Sequence, residues 1–267
     1  MHEKYALITG ASEGLGKFLA MECAARKLNL VLVSLPCTNL VNLSRLLNHR
    51  YGVEVFTVEL DLSEEKNCYY LKELLAVNHI RVSVLINNAG MGGNFLFEQE
   101  EPSYYSKIIA LNIVTPTLLC KLFLDDLKAC SPSYIMNVSS LAGIFHLPKK
   151  QVYGGTKSYL LAFSNSLRRE LKKENISVSV LCPGGMNTYW RILMENRTKG
   201  TWISRSSVME PSDVASIALK KMFEKKALII PGIMNHVFLF MNRIIPSIIK
   251  EKLIQLQMSK SSVYASQ

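Results

Sequence analysis

The chain runs to 267 residues, 49% hydrophobic and 19% charged, with a formal net charge of +10. That is enough chain for one large domain with a sizeable core. Lys and Arg are scattered, with local pairs such as Lys149–Lys150 and Arg168–Arg169; with no basic stripe and no recognition motif, nucleic acid is not an expected partner, and a phosphorylated cofactor or an anionic substrate suits the charge better.

Short apolar, β-branched runs recur along the chain: YALIT at 5–9, LVLV at 30–33, VEVFTV at 53–58, VSVLI at 82–86, YIMNV at 134–138, ISVSVL at 176–181 and ALII at 227–230. Helical patterns separate them, as in Leu15, Phe18, Leu19 and Cys23, which share one face. Strands without polar alternation are buried on both sides, and alternation with helices predicts a parallel sheet. The expected fold is therefore α/β, a single doubly wound domain of about seven strands with helices on both faces. Its core is expected over 1–232, with 233–267 as an apolar helical extension packed on the same domain. The six cysteines show no CxxC and no metal-ligand spacing, so buried reduced thiols are expected, and no metal. The first run begins at Tyr5, which leaves no room for a signal peptide and predicts a cytoplasmic location.

Directly after the first run comes TGASEGLG, Thr9 to Gly16. Gly10, Gly14 and Gly16, with Ser12, Glu13 and Leu15 between them, stand where a strand turns into a helix. Backbone N–H groups can approach a pyrophosphate there. A phosphate-loop NTPase would need glycine at Ala11 and Ser or Thr at Phe18, and has neither. The second run ends at Ser34 and Leu35 with no charge, where an acid would select a ribose 2′-hydroxyl. Ser34, Thr38 and Asn39 remain as neutral donors for a phosphate. Asp61 and Leu62 follow the third run, and Asn88, Ala89 and Gly90 follow the fourth.

In YGGTK, Tyr153 and Lys157 lie four residues apart and share a helix face. A free phenol, with pKa about 10, is a poor proton carrier near neutrality, and a nearby ammonium favours its ionised form. Ser140, in NVSSLAG, lies thirteen residues earlier at the end of the fifth run. Its hydroxyl could hold a substrate oxygen beside the phenol, or simply start a turn.

Together TGxxxGxG (9–16), Asp61, NNAG (87–90), Asn112 in ALNIVTP, Ser140, YxxxK (153–157) and PGxxxT (183–188) resemble the short-chain dehydrogenase/reductase family, from residue 4 to about 232. The resemblance implies a Rossmann-type sheet and an NAD(P)-dependent oxidoreductase acting on a carbonyl/alcohol pair. It makes Tyr153 the general acid/base, Lys157 the group that lowers its pKa and binds the nicotinamide ribose, and Ser140 the orienter of the substrate oxygen. Asn112 would support a proton-relay water through its backbone. Asp61 would contact adenine, Asn88–Gly90 the adenosine side, and Pro183, Gly184, Met186 and Thr188 the nicotinamide carboxamide. Self-association through helices at 103–128 and 152–173 is also implied.

For the substrate, Phe145, His146, Tyr189 and Trp190 are expected to line the pocket. An apolar floor with a basic rim suits a lipophilic ketone or a carrier-bound thioester. NADP is expected over NAD. Two other readings stand beside this one: a catalytically silent cofactor-binding sensor, and a membrane-docked lipid or steroid enzyme suggested by the apolar tail.

Overall fold

The computed structural model describes residues 4–145, 147–187 and 208–245. All seven predicted runs form strands: β1 Lys4–Thr9, β2 Asn29–Ser34, β3 Val55–Glu59, β4 Arg81–Asn87, β5 Ser133–Val138, β6 Ile176–Leu181 and β7 Leu228–Ile229. They make one parallel sheet in the order β3-β2-β1-β4-β5-β6-β7. The order reverses between β1 and β4, which opens a crevice at the carboxyl ends of these two strands.

Alternate strand residues face opposite layers. Ala6 and Ile8 of β1 join Leu30 and Leu32 under α1 (Gly14–Ala25), α2 (Leu40–Tyr51) and α8 (Pro211–Phe223). Tyr5 and Leu7 join Val31, Val33 and Leu85 under α3 (Glu65–Val77), α5 (Thr115–Leu122) and α6 (Leu124–Ala129). Each such Leu or Ile contributes roughly 1.5–3 kcal/mol by leaving water. Burial on both faces is why these strands read as unbroken apolar runs.

The helix expected at 103–128 is not continuous. It divides into α4 (Pro102–Ile109), a π-helical turn at Ala110–Val114, α5, and α6 after a break at Phe123. Pro116 has no N–H to offer the Asn112 carbonyl, and the Thr115 hydroxyl bonds the Ala110 carbonyl at 3.1 Å. By contrast α7 (Gln151–Glu170) forms as one helix, followed by a 3-10 turn at Leu171–Glu174. The described part of the tail is α9 (Ile233–Ile244). It leaves Ile233, Val237, Phe240, Met241 and Ile244 exposed at helical spacing.

Candidate active site

At the switch point two strand ends are stapled together. The Thr9 hydroxyl accepts the Asn88 and Ala89 N–H groups at 3.0 and 2.9 Å, and Asn88 Nδ2 donates to the Thr9 and Gly10 carbonyls at 3.0 and 3.1 Å. Gly10 has φ +64, and a Cβ on Gly16 would lie 1.9 Å from the Gly10 oxygen, so α1 can start this close only without a side chain there. The resulting cleft, about 510 Å³, is lined by Gly10, Ser12, Glu13, Gly14, Leu15, Gly16, Ser34, Leu35, Thr38, Asp61, Leu62 and Asn88–Gly90. Every cofactor-side residue expected before β5 except Asn39 thus meets here.

At the β2 corner, Ser34 Oγ and Thr38 Oγ1 lie 2.6 Å apart, and no acid replaces the missing charge at Ser34 or Leu35. Asn39 does not line the cleft; its Oδ1 accepts from Asn42 Nδ2 at 2.5 Å. Behind this corner Glu59, opposite Ser34 in register, accepts the Cys37 N–H at 3.3 Å. Cys37 is also the one cysteine that is exposed, against the expectation of buried thiols, because it sits in the β2–α2 turn with φ +61. Asp61 faces the cleft with both carboxylate oxygens engaged, by Ser63 at 2.7 and 2.9 Å and by Lys107 at 3.0 Å. Burial raises its pKa, but the Ser63 and Lys107 donors outweigh that and hold it below the usual carboxylate range.

The second cavity, about 990 Å³, shares Leu15, Asn88, Gly90 and Met91 with the first. It holds Ser140, Tyr153, Lys157, Pro183, Gly184 and Met186 against an apolar wall of Met91, Phe95, Leu141, Phe145, Leu147 and Phe238. Ser140 starts the turn Leu141–Gly143, its Oγ accepting the Ala142 N–H at 3.1 Å, and it lines the same cavity as the Tyr153 phenol. The turn-starting reading of this serine therefore holds, with its hydroxyl at the wall of the cavity that Tyr153 also lines.

Lys157 is only 4% exposed, and its Nζ donates to the Val138 carbonyl at 2.9 Å, 5.7 Å from the centre of the Tyr153 ring. Burial pulls its pKa down to about 8. The expected lowering of the phenol pKa is not what the protein alone displays. Burial pushes Tyr153 above its ordinary value, and the Ser140 hydroxyl only partly offsets this. Desolvation of the ring wins over the spacing argument.

Asn112 is buried, 1% exposed, within the π-helical turn. Its side chain pairs with Met91 N–H and C=O at 3.0 and 2.9 Å and donates to Thr156 Oγ1 at 3.0 Å. It therefore ties the cavity wall to α7. A second buried chain, Asn87 to Asn137 at 2.8 Å and Asn137 to Ser164 at 2.9 Å, fixes α7 to β4 and β5.

His146, Thr188, Tyr189, Trp190 and the remainder of 191–205 lie outside the described residues. Four site residues escaped the sequence reading. Lys107 is far from Asp61 along the chain, and Thr9 was read only as part of a motif. Lys150, the N-cap of α7, precedes Tyr153 by three positions, a signal that was available. Asn235 of α9, 1% exposed, lies against Gly184 with its Oδ1 unpaired and Nδ2 bonded to Pro231 O at 2.7 Å. No local pattern marks it.

Comparison with known proteins places these features. The family model described as short chain dehydrogenase matches residues 4–198. The chain is 29% identical to human 17-beta-hydroxysteroid dehydrogenase type 3 over 187 residues, 69% of this chain and 60% of that protein. It is 28% identical to a very-long-chain 3-oxoacyl-CoA reductase of Caenorhabditis elegans, covering 94% of this chain and 78% of that one. It spans only 53–60% of the length of the first curated relatives it matches. Among solved structures, a short-chain dehydrogenase from Sphingobium yanoikuyae in complex with NADPH superposes with TM-score 0.75 and 25% identity, over 99% of this chain and 96% of that one.

Proposed function

This chain belongs to the short-chain dehydrogenase family, and from that premise we propose that it interconverts a carbonyl and an alcohol on a lipophilic or thioester-linked substrate with NADP(H), Tyr153 acting as general acid and base. The meeting of Ser140, Tyr153 and Lys157 in one cavity with an apolar wall carries this assignment. The relatives named for hydroxysteroid and very-long-chain 3-oxoacyl-CoA chemistry support the lipophilic class.

A nicotinamide dinucleotide suits the residues present. The close packing of Gly16 on Gly10 sets the start of α1 against the cleft, where its N–H groups could meet a pyrophosphate, and the cleft runs on into the reaction cavity. Asp61, Leu62 and Asn88–Gly90 would hold the adenosine half, Lys157 the ribose, and Pro183, Gly184 and Met186 the nicotinamide half. When bound, the dinucleotide supplies or takes up the hydride. NADP is favoured by the two hydroxyls and the missing acid at the β2 corner, and by the NADPH of the Sphingobium relative.

The chain's own residues position the substrate and move the proton. The Ser140 hydroxyl holds the substrate oxygen beside the phenol. Tyr153 O–H gives that oxygen its proton in reduction, and the phenolate takes it back in oxidation. Asn112 keeps α7 and the Met91 wall in register while this happens. The test is NADPH consumption across bulky ketones, long-chain 3-oxoacyl thioesters and small sugars. The expected result is turnover concentrated in the first two groups and weaker with NADH. Cofactor binding without turnover of any member would favour the silent sensor instead.

The exposed stripe on α9 supports a second reading about where the chain works. Phe238 faces the cavity while Phe240 on the same helix is 66% exposed, so docking on an anionic lipid surface would bring the cavity to it. Among the described residues no helix is long and apolar enough to cross a membrane. The protein is expected to cosediment with anionic vesicles, and Phe240→Glu to cut the bound fraction several-fold. Equal recovery in the supernatant with and without vesicles would reject docking.

A further inference from the structure

The segment that follows β6 forms part of the reaction cavity through Pro183, Gly184, Gly185 and Met186. The fold takes up two of its carbonyls. Pro183 O accepts the Leu141 N–H at 3.0 Å, and Gly185 O accepts the Met209 N–H at 3.0 Å. The N–H groups of Gly184 and Gly185, by contrast, donate no hydrogen bond among the described residues. Two donors at the cavity wall are thus left for something other than the fold.

Against Gly184 stands Asn235, in the first turn of α9 and 1% exposed. A Cβ on Gly184 would lie 2.8 Å from Asn235 Oδ1, 2.9 Å from Nδ2 and 3.2 Å from Cγ, so the amide meets this glycine face-on. The start of α9 is pinned in that place: Asn235 Nδ2 donates to Pro231 O at 2.7 Å, and His236 Nε2 lies 3.0 Å from Ile230 O. Asn235 Oδ1, however, is buried with no partner. A buried acceptor left unpaired is a cost that an apolar side chain at 235 would avoid. What the amide offers instead is a flat face, which lets α9 approach Gly184 more closely than a branched side chain would.

We propose that Asn235 is a positioning residue for the nicotinamide end of the cofactor. Its flat amide sets the depth of Gly184, and with it the two unused N–H groups that suit the acceptor oxygen of the nicotinamide carboxamide. This rests on the NADP(H) reading above and adds to it a residue of the tail helix. A branched apolar side chain at 235 would push Gly184 towards the cavity and misplace both donors, and a ring held in the wrong place is poorly aligned for transfer.

The experiment measures, by calorimetry on the full chain, the binding of NADPH and of 2′-phospho-ADP-ribose, which keeps the adenosine half and the pyrophosphate but lacks the nicotinamide ring. Asn235→Leu is expected to weaken NADPH roughly tenfold and to leave the affinity for 2′-phospho-ADP-ribose unchanged. A residue that only supported the fold would shift both ligands together or neither. Thermal unfolding without ligand checks that the variant folds. If it does not, Asn235→Ala, which only removes atoms, carries the same comparison. A loss for NADPH no larger than that for 2′-phospho-ADP-ribose would reject Asn235 as a positioning residue and leave the oxidoreductase reading standing. Failure of the wild-type chain to bind either ligand would reject both.

Discussion

Tyr153→Phe is expected to lower kcat by about 10²–10⁴-fold while leaving the affinity for NADPH nearly unchanged. The substitution removes one oxygen from a ring that stays packed in the cavity wall, so the site keeps its shape and loses only its proton carrier. The cofactor-side contacts lie mainly in the neighbouring cleft of Gly10–Gly16, Asp61 and Asn88–Gly90. The comparison to make is steady-state turnover of the best substrate against NADPH binding followed by fluorescence. Undiminished turnover would remove Tyr153 from the mechanism. A parallel collapse of cofactor affinity would make it a binding residue rather than an acid/base.

Lys157→Met is expected to abolish most turnover and yet to make the folded protein more stable at pH 7. The ammonium is almost fully buried, and its folded pKa of about 8 stands against the ordinary lysine value of 10.5. Below pH 8 both folded and unfolded chains are protonated, and the folded state bears the whole cost of burying the charge. That difference corresponds to about 3 kcal/mol. Loss of the bond to the Val138 carbonyl costs about 1 kcal/mol in the other direction. A net gain of about 1–3 kcal/mol at pH 7 remains. Between pH 8 and 10.5 the unfolded chain binds the proton that the folded chain has released, so wild-type stability rises with pH through that window relative to the variant. Urea unfolding of both proteins at pH 7 and pH 10 measures this. A variant less stable at pH 7, or a gap that widens by pH 10, would show that the lysine stabilises the fold.

Such a lysine is what a functional site leaves behind. An apolar residue is expected to serve the fold better at 157; in the proposed mechanism the charge beside Tyr153 and Ser140 would favour the phenolate during proton transfer. Asn112 is a different case: its amide is fully paired with Met91 and Thr156, so it supports fold and site together.

The sheet was legible from the chain alone because a strand buried on both faces leaves an unbroken apolar run, and every one of the seven runs became a strand. The glycine loop, Ser140 and the Tyr153–Lys157 pair were legible because their chemistry needs fixed spacing within one local element, a strand-to-helix turn or a single helix face. What crosses between elements was not. Asp61 meets Lys107 only because α4 packs beside the end of β3, and Asn235 reaches Gly184 only because α9 returns to the carboxyl edge of the sheet. The break in the helix at 110–114 was read as a continuous run, since apolar periodicity does not register one extra residue in a turn. The charge states were decided by tertiary structure as well. Spacing places an ammonium four residues from a phenol, but desolvation, set by everything packed around them, raises the phenol and lowers the lysine. Local pattern marked the motif residues of the site, and the packing between elements, which no local pattern carries, determined their cross-element partners and how they are charged.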